Sequence, residues 1–228
     1  MRQLFPDVVD SVDPAAVYAD LPVASGRPAV RLNMISSVDG ATALDGVSGG
    51  LGSLADKKVF AVLRSLADVV LVAAGTVRAE HYGPSTVPIA VVTRAAQLDW
   101  QSPFFTEAKA RPIVLTVDDA PPENLEHARE VADVILAGTG GVDFKGALDE
   151  LALRGARNVL AEGGPTLNGQ LALAGVLDEV CLTFAPKLAA GDAKRILAGP
   201  ALPTPTDLSL RSVCEDEGYL FLRYRVNS

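Results

Sequence analysis

The sequence has little of several features that define whole classes of protein. Only two of its 228 residues are cysteines, Cys181 and Cys214, and they lie far apart, so neither a disulfide framework nor a C-x-x-C metal pair is predicted. No stretch approaches the roughly 20 apolar residues of a membrane span, and the opening MRQLFPDVVDSVDP lacks the basic and apolar segments of a secretory signal. Basic residues are scarce, since 20 Lys and Arg stand against 28 Asp and Glu. We therefore expect a cytoplasmic protein that binds neither nucleic acid nor a membrane.

The remaining composition is that of an ordinary globular protein. Hydrophobic residues make up 49% and charged residues 21% of the chain, which is enough to bury one substantial core. Residues 1–28 are rich in Asp and Pro and hold at most one short helix after Pro14. We interpret them as a peripheral N-terminal arm attached to a single domain, residues 29–228.

Strand-like and helix-like segments alternate through most of that domain. Strands are predicted at 29–35, 69–74, 88–92, 112–117, 133–137 and 158–161, and helices at 54–67, 122–131, 143–153 and from 165. This alternation is typical of an α/β fold with a mainly parallel sheet covered on both faces. The segments 179–185, 208–213 and 219–226 are extended and have no long helix between them. They predict antiparallel strands at the C-terminal end.

Residues 158–180 form the most informative stretch, because a buried strand runs through Glu162-Gly163-Gly164 into an amphipathic helix. Two glycines allow close approach of the backbone, Pro165 suits the first turn, and free N–H groups at a helix start favour an anion such as a pyrophosphate. A plain strand–turn–helix connection fits the same residues. The apolar run 69–74 opens a second such helix at Gly75-Thr76.

Two other turns resemble ligand motifs only superficially. Gly50-x-Gly52-x-x-Ala55 matches the dinucleotide fingerprint, but no strand leads directly into it, so we reject a Rossmann turn. Asp39-Gly40 is a turn signal by itself, which makes a structural role of Asp39 the simplest reading of the residues alone.

Three stretches carry a resemblance to a known family. They are SSVDG at 36–40, LRSLADVVLVAAGTV at 63–77 and NVLAEGGPTL at 158–167. In this order and spacing they make residues 29–226 resemble the NADPH-dependent pyrimidine reductases of riboflavin biosynthesis, the reductase half of a bifunctional deaminase-reductase. The resemblance implies a dihydrofolate-reductase-like three-layer fold, a homodimer, and hydride transfer from NADPH to C1′ of a ribosylaminopyrimidine phosphate such as 5-amino-6-(5-phosphoribosylamino)uracil. The sequence lacks the H-x-E and P-C-x-x-C zinc signature of a deaminase, and no metal is predicted.

The resemblance also implies site residues. It places the cofactor against Ser36, Gly75, Thr76, Thr93, Arg94, Gly163, Gly164, Pro165, Thr166 and Leu167. It places the substrate against Asn33, Asp39, Ser48, Arg64 and Glu162. Arg94 follows a strand that this fold sets near the adenosine ribose, where a guanidinium would favour the 2′-phosphate of NADPH. A solvated loop charge is the alternative for Arg94.

Two charged residues have an ordinary structural alternative. Arg64 matches a substrate position, but Asp68 lies four residues further on and could pair with it on the helix surface. Glu80 stands where the family usually has an aspartate near the reacting carbon, so it is our candidate for a catalytic carboxylate that shuttles a proton or stabilises a developing cation. A solvated glutamate at a helix end fits Glu80 as well.

The sequence departs from the family in its basic residues. Ala41 replaces a usual Lys or Arg, Gly50 replaces a usual aromatic residue, and HYGP at 81–84 replaces a run whose arginine normally meets the substrate phosphate. We therefore expect weaker turnover of the phosphorylated pyrimidine than the family norm, unless a residue such as Lys57 takes that place. A dihydrofolate or pterin reductase on the same fold and a non-catalytic nucleotide-binding module remain as alternatives. The apolar strand at 180–184, placed near the antiparallel edge, agrees with a homodimer.

Overall fold

The computed structural model describes residues 1–227 and joins ten strands into one sheet in the order β1-β9-β10-β8-β2-β7-β3-β4-β5-β6. The strands are β1 (Arg2–Phe5), β2 (Ala29–Ser37), β3 (Val69–Ala73), β4 (Ile89–Val92), β5 (Ile113–Thr116), β6 (Asp133–Leu136), β7 (Asn158–Ala161), β8 (Glu179–Ala185), β9 (Leu208–Asp216) and β10 (Tyr219–Val226). Strands β8, β2, β7, β3, β4, β5 and β6 are parallel, and β10, β9 and β1 continue the sheet antiparallel. This confirms the predicted mostly parallel sheet with antiparallel C-terminal strands.

Helices cover both faces of the sheet and form two hydrophobic cores. The helices are α1 (Pro14–Tyr18), α2 (Leu54–Ser65), α3 (Ala74–Ala79), α4 (Pro103–Thr106), α5 (Pro122–Val131), α6 (Phe144–Leu153) and α7 (Pro165–Leu173). Buried side chains of α1 to α5 belong to one core, and those of α6 and α7 belong to the other. The β-branched and leucine-rich parallel strands are buried on both sides, as such runs require. None of the helices within residues 1–227 is long and apolar enough to cross a membrane.

A local sequence signal fixes the start of helix α2. The Ser53 hydroxyl accepts the N–H of Asp56 at 3.1 Å and caps α2. Along that helix Val59 and Leu63 are buried in the core, and Val62 and Leu66 pack against it. The neighbouring face of α2, which carries Asp56, Phe60 and Arg64, is left to line a cavity.

The N-terminal segment is joined to the sheet more closely than its composition predicts. The sequence indicated at most one short helix there, but β1 pairs with β9 as an additional strand. The Tyr18 side chain is only 2% exposed. Beyond it, Arg31 of β2 and Arg223 of β10 flank the Glu179 carboxylate and donate to the backbone carbonyls of residues 17, 18 and 20. Two arginines therefore clamp the end of α1 to the sheet.

The sequence placed the apolar strand 180–184 near the antiparallel edge of the sheet, and this prediction is wrong. Strand β8 is bonded to β2 on one side and to β10 on the other, so its backbone has no open edge. The two edges of the sheet are β1 and β6. Strand β6 carries Asp133, which pairs with Arg111 and Arg154, and charge of this kind discourages further strand pairing.

Candidate active site

A large cavity opens at the carboxyl ends of the parallel strands β2, β7 and β3. Its volume is about 1110 Å³, which is enough for a dinucleotide portion together with a small substrate. The turns that follow the three strands meet there because parallel neighbouring strands end at the same edge of a sheet. Glycine pair 163–164, the start of α3 and one face of α2 therefore line a single space.

Arg64 and Glu162 form the charged floor of this cavity. The guanidinium Nε and Nη2 atoms donate to the two carboxylate oxygens of Glu162, each at 2.7 Å. The Tyr82 hydroxyl donates to the same carboxylate at 2.7 Å. The rings of Phe60 and Tyr82 lie 4.6 Å and 5.3 Å from the guanidinium carbon of Arg64. Such a bidentate, ring-stacked pair is rigid and leaves little net charge for a ligand.

The surroundings of Arg64 and Tyr82 raise the pKa of both side chains. Burial works against the charged form of Arg64, but the hydrogen bonds and charge of Glu162 outweigh it and raise the pKa of the guanidinium. Burial, followed by the charge and hydrogen bond of Glu162, raises the pKa of the Tyr82 hydroxyl far above its ordinary value. Tyr82 therefore stays a neutral donor at every physiological pH.

The alternative partner for Arg64 is excluded. Asp68 accepts the backbone N–H groups of Arg157 and Asn158 at 2.8 and 2.9 Å and does not pair with Arg64. Arg64 is directed into the cavity, as the family resemblance implied, but its charge is already matched by Glu162. Tyr82, which lies in the HYGP segment at 81–84, binds the same carboxylate and contributes no positive charge.

The glycine pair brings the starts of α7 and α3 together. Gly163 has a φ of +99°, and a Cβ on Gly164 would lie 2.9 Å from the Thr76 hydroxyl oxygen. The Gly164 N–H donates to that hydroxyl at 2.9 Å, so it is not free for a phosphate as the sequence suggested. The free donors at the start of α7 are the following N–H groups, of Thr166 and Leu167, which have no partner within the helix.

Room for a cofactor lies at the start of α3. A Cβ added to Gly75 would meet no atom within 4 Å, and Gly75 and Thr76 both line the cavity. Strand β4 pairs with β3 so that Val92 is opposite Ala73, and Thr93 and Arg94 therefore follow at the same edge of the sheet. The Arg94 side chain is exposed, and within residues 1–227 it makes no ion pair. The start of α3 therefore leaves space for a nicotinamide dinucleotide.

Glu80 sits at the end of α3 and lines the cavity. Its Oε1 atom accepts the backbone N–H of Ser48 at 2.7 Å. The bond attaches the glycine-dense loop 44–52 to α3 and fixes the direction of the carboxylate. Glu80 is thus neither a freely solvated residue nor a partner in an ion pair within the described residues.

Asp39 holds a loop that forms another wall of the cavity. The Ser37 hydroxyl and the N–H groups of Ala190 and Ala189 donate to its carboxylate and lower its pKa to about 2. Thr42 binds the carbonyl of Lys194 through its hydroxyl at 2.8 Å and through its N–H at 3.3 Å. Asp39 therefore positions residues that line the cavity and does not line it itself.

The structure brings ten of the sixteen residues named from the resemblance to the cavity surface. These are Asn33, Ser48, Arg64, Gly75, Thr76, Glu80, Glu162, Gly163, Gly164 and Pro165. The other six, Ser36, Asp39, Thr93, Arg94, Thr166 and Leu167, do not line it. Ser36 is buried and its hydroxyl donates to the Ser37 carbonyl, while the Leu167 side chain belongs to the core of α7.

Several lining residues were missed from the sequence. Asp56 and Phe60 precede Arg64 at intervals of four residues, so all three share a face of α2, which lies next to the buried stripe of Val59 and Leu63. This interval was a readable signal. Lys194 also lines the cavity, whereas Lys57, the basic residue suggested from the sequence, is exposed and does not line it. Within residues 1–227 no cluster of His, Cys, Asp and Glu could hold a metal ion.

Comparison with known proteins agrees with this fold and this cavity. The sheet and its helices have a dihydrofolate-reductase-like fold. A dihydrofolate reductase from Enterococcus faecalis superposes with a TM-score of 0.52 at 12% identity, over 91% of this chain and 100% of that one. The profile described as RibD C-terminal domain matches residues 28–220. The chain therefore belongs to the RibD C-terminal domain family.

Two relatives are similar over most of their length. One from Aquifex aeolicus is 30% identical over 186 residues, which are 76% of this chain and 83% of that protein, and is named 2,5-diamino-6-ribosylamino-4(3H)-pyrimidinone 5′-phosphate reductase. A pyrimidine reductase-like protein from Corynebacterium diphtheriae has a crystal structure that superposes with a TM-score of 0.83 at 26% identity, over 96% of this chain and 100% of that one.

Proposed function

We propose that this chain is an NADPH-dependent reductase of a ribosylaminopyrimidine 5′-phosphate in riboflavin biosynthesis. The observation that carries the proposal is one cavity in which two helix starts meet a rigid arginine–glutamate floor, within a RibD-family chain. The name of the Aquifex relative supports the pyrimidine class. Two buried, unpaired cysteines support a reducing compartment, and we propose the cytoplasm.

The residues divide naturally between cofactor and substrate. The open space at Gly75 and the adjoining turn at Gly163 would hold the pyrophosphate, and Arg94 would pair with the 2′-phosphate. When bound, the reduced nicotinamide supplies the hydride. On the opposite side, Phe60 offers a flat apolar surface for a ring, while Asn33 and Ser48 line the wall beside Glu80.

Glu80 is the proposed acid of the reaction. Reduction at C1′ opens the ribose ring, so O4′ of the sugar must gain a proton as the C1′–O4′ bond breaks. A carboxyl that lines the cavity and is held by the Ser48 N–H is placed for that transfer or for stabilising the cation that precedes it. Glu162 is already occupied by Arg64 and Tyr82 and is less suited to move a proton.

The phosphate of the substrate has few cationic partners here. Besides Arg64, which is matched by Glu162, the lysine that lines the cavity is Lys194. Its carbonyl is fixed by Thr42, so its ammonium group would work from a fixed backbone position. We propose that Lys194 meets the phosphate and that the family's usual cluster of basic residues is reduced to this one side chain.

The test is the loss of NADPH absorbance on addition of the phosphorylated ribosylaminopyrimidine. We expect turnover with this substrate and much less with dihydrofolate, which would be the better substrate of a folate-type reductase. Glu80→Gln keeps an oxygen for the Ser48 N–H but loses the acid, so kcat should fall by at least tenfold with little change in KM. No substrate-dependent oxidation with either compound would reduce the chain to a nucleotide-binding module and refute the proposal.

A further inference from the structure

Lys187 is a charged residue beside the cavity that the mechanism above does not use. Its ammonium group donates to the backbone carbonyl of Gly50, which belongs to the glycine-dense loop 44–52. Within residues 1–227 Lys187 forms no ion pair, and it does not line the cavity. The bond therefore joins the segment that follows β8 to the loop 44–52.

This loop needs attachment from outside because it has glycines at positions 46, 49, 50 and 52. At its end the Leu51 side chain is fully buried, and the Leu51 carbonyl accepts the Tyr219 hydroxyl at 3.0 Å. Ser48 is separated from this fixed point by two exposed glycines, which are spanned by one backbone bond from the Leu51 N–H to the Ser48 carbonyl at 2.9 Å. Burial of Leu51 alone therefore leaves the position of Ser48 free to vary.

The position of Ser48 matters because its backbone N–H donates to Glu80 Oε1 at 2.7 Å. A carboxyl that transfers a proton has to lie within hydrogen-bond reach of the atom that receives it, and small displacements reduce the rate. Gly50 is two residues from Ser48. A bond that fixes Gly50 therefore limits how far the Ser48 N–H, and with it the Glu80 carboxyl, can move.

Lys187 is itself held at both of its backbone groups. Its N–H donates to the Ala185 carbonyl at 2.7 Å, and its carbonyl accepts the Val38 N–H at 3.0 Å. Shortly after it, the Ala189 N–H donates to the Asp39 carboxylate. The ammonium group thus extends from a base that is fixed on the turn following β2, and β2 is an inner strand of the sheet.

We propose, resting on the function proposed above, that Lys187 is a positioning residue for the reduction. It holds the loop 44–52 through the Gly50 carbonyl, so that the Ser48 N–H keeps the Glu80 carboxyl in the orientation that protonates the sugar oxygen. Lys187 does not contact the substrate and carries no proton in the reaction. Its contribution therefore belongs to kcat and passes through Glu80.

The first test separates kcat from KM. Lys187→Met keeps the apolar length of the side chain but loses the donor, so kcat should fall by about tenfold while KM for NADPH and for the pyrimidine stays unchanged. Lys187→Arg keeps an N–H donor and should retain most of the wild-type kcat. The matched control is Lys58→Met, because Lys58 is an exposed lysine of α2 that does not line the cavity. A raised KM with unchanged kcat in Lys187→Met would show that the charge attracts the anionic ligands, and would overturn the proposal.

The second test asks whether Lys187 acts through Glu80. In a Glu80→Gln background the acid is already lost, so adding Lys187→Met should lower kcat by less than about twofold further. If the losses of the two variants multiply, Lys187 acts by another route and the assignment is wrong.

Hydrogen exchange at the Ser48 amide, followed by NMR without substrate, tests the attachment of the loop separately from the reaction. We expect exchange to become about tenfold faster in Lys187→Met and to stay near the wild-type rate in Lys187→Arg and Lys58→Met. Unchanged exchange in Lys187→Met overturns the inference even if the enzyme is active. Faster exchange in a protein that reduces no ribosylaminopyrimidine confirms the attachment and refutes the proposed function instead.

Discussion

The charged side chains of the cavity differ in what their burial costs the folded protein. Arg64, Glu162 and Tyr82 satisfy one another, so the floor carries its charge without strain. Asp56 on the same wall has a hydrogen bond with Thr183 and the nearby charge of Lys57, but no ion pair within residues 1–227. Natural proteins are rarely as stable as they could be, and residues kept for function often lower the stability of the folded state.

Asp56→Asn should therefore stabilise the protein at neutral pH. Burial raises the pKa of Asp56 above 3.8, so the folded state resists the charge, and that cost is fully present above the raised pKa and absent below 3.8. We expect the melting temperature to rise by on the order of 2 °C at pH 7 and the gain to vanish as the pH approaches 3.8. Calorimetric melting of both proteins at several pH values measures this, and a melting point that falls at pH 7 contradicts it.

Arg94 should set the preference for NADPH over NADH. Its guanidinium is exposed and unpaired among the described residues at the edge where β4 ends, and charge-assisted bonds to a phosphate are strong. Arg94→Ala should weaken NADPH binding by at least tenfold, about 1.4 kcal/mol, and leave NADH binding nearly unchanged. Fluorescence titration with both cofactors checks this. The control is Arg111→Ala, just before the start of β5, which should leave both affinities unchanged. Equal losses for the two cofactors would remove Arg94 from the site.

The sequence could identify Arg64 as a site residue but not its partner. Pairing rules for helices favour Asp68, four residues away, whereas the actual partner Glu162 lies 98 residues further along the chain. Contacts between distant segments depend on the sheet order, which local patterns do not contain. Asp56 shows the opposite case, because its interval to Phe60 and Arg64 was visible in the sequence and only the existence of the cavity was not.

At the scale of elements, the starts of α3 and α7 contact each other at the wall of the cavity. The Thr76 hydroxyl of α3 binds the Gly164 N–H of α7, so the two starts are one unit. A substitution at Gly164 therefore disturbs both the ligand surface and the joint between the helices. A substitution that changes cofactor binding without changing stability needs a position that faces only the open cavity.

Gly75 is that position, and Gly75→Ala should separate binding from stability. The added methyl group meets no protein atom within 4 Å and alanine favours the helix, so the free energy of unfolding should stay equal or rise by up to about 1 kcal/mol. In the cavity the same methyl group should weaken NADPH binding by at least tenfold. Gly164→Val, whose Cβ would press on Thr76, should lower both stability and affinity. Unchanged affinity in Gly75→Ala would leave this turn with a purely structural role.

The elements themselves were largely predictable from the sequence. Strands β7, β8 and β10 and helix α5 begin and end where the patterns placed them, because burial, turn residues and caps act within a few residues. Strand β1 was missed since its pairing with β9 joins residues more than 200 positions apart. The inner position of β8 was missed for the same reason. Local patterns indicate which segments form strands, but they do not indicate which strands are neighbours in the sheet.

At the scale of the whole molecule, an exposed apolar surface lies on one face of the antiparallel strands. Leu208, Leu210 and Leu220 are 43%, 37% and 36% exposed, and their register with β10 sets them on the same face. This surface supports the homodimer that the resemblance implies, in place of the strand edge that the sequence suggested. A second copy of the chain would remove these side chains from water.

Leu210→Lys should convert such a dimer into a monomer. A charge in the middle of an apolar interface must be desolvated when the two copies meet, so association should weaken by at least a hundredfold. Sedimentation velocity at micromolar concentration distinguishes the two states. Leu153→Lys, at the end of α6, is the control, since Leu153 is 81% exposed and should change nothing. A wild-type protein that sediments as a monomer refutes the dimer.

The arginine clamp on α1 also sets an order of events during synthesis. The carbonyls at the end of α1 are held by Arg31 and Arg223, and Arg223 lies in the last strand of the sheet. Helix α1 therefore has no complete docking place until β10 has been translated. Until then α1 and β1 are exposed to proteases and chaperones, and a nascent chain stalled before residue 219 should lose this segment to mild proteolysis while the released protein keeps it.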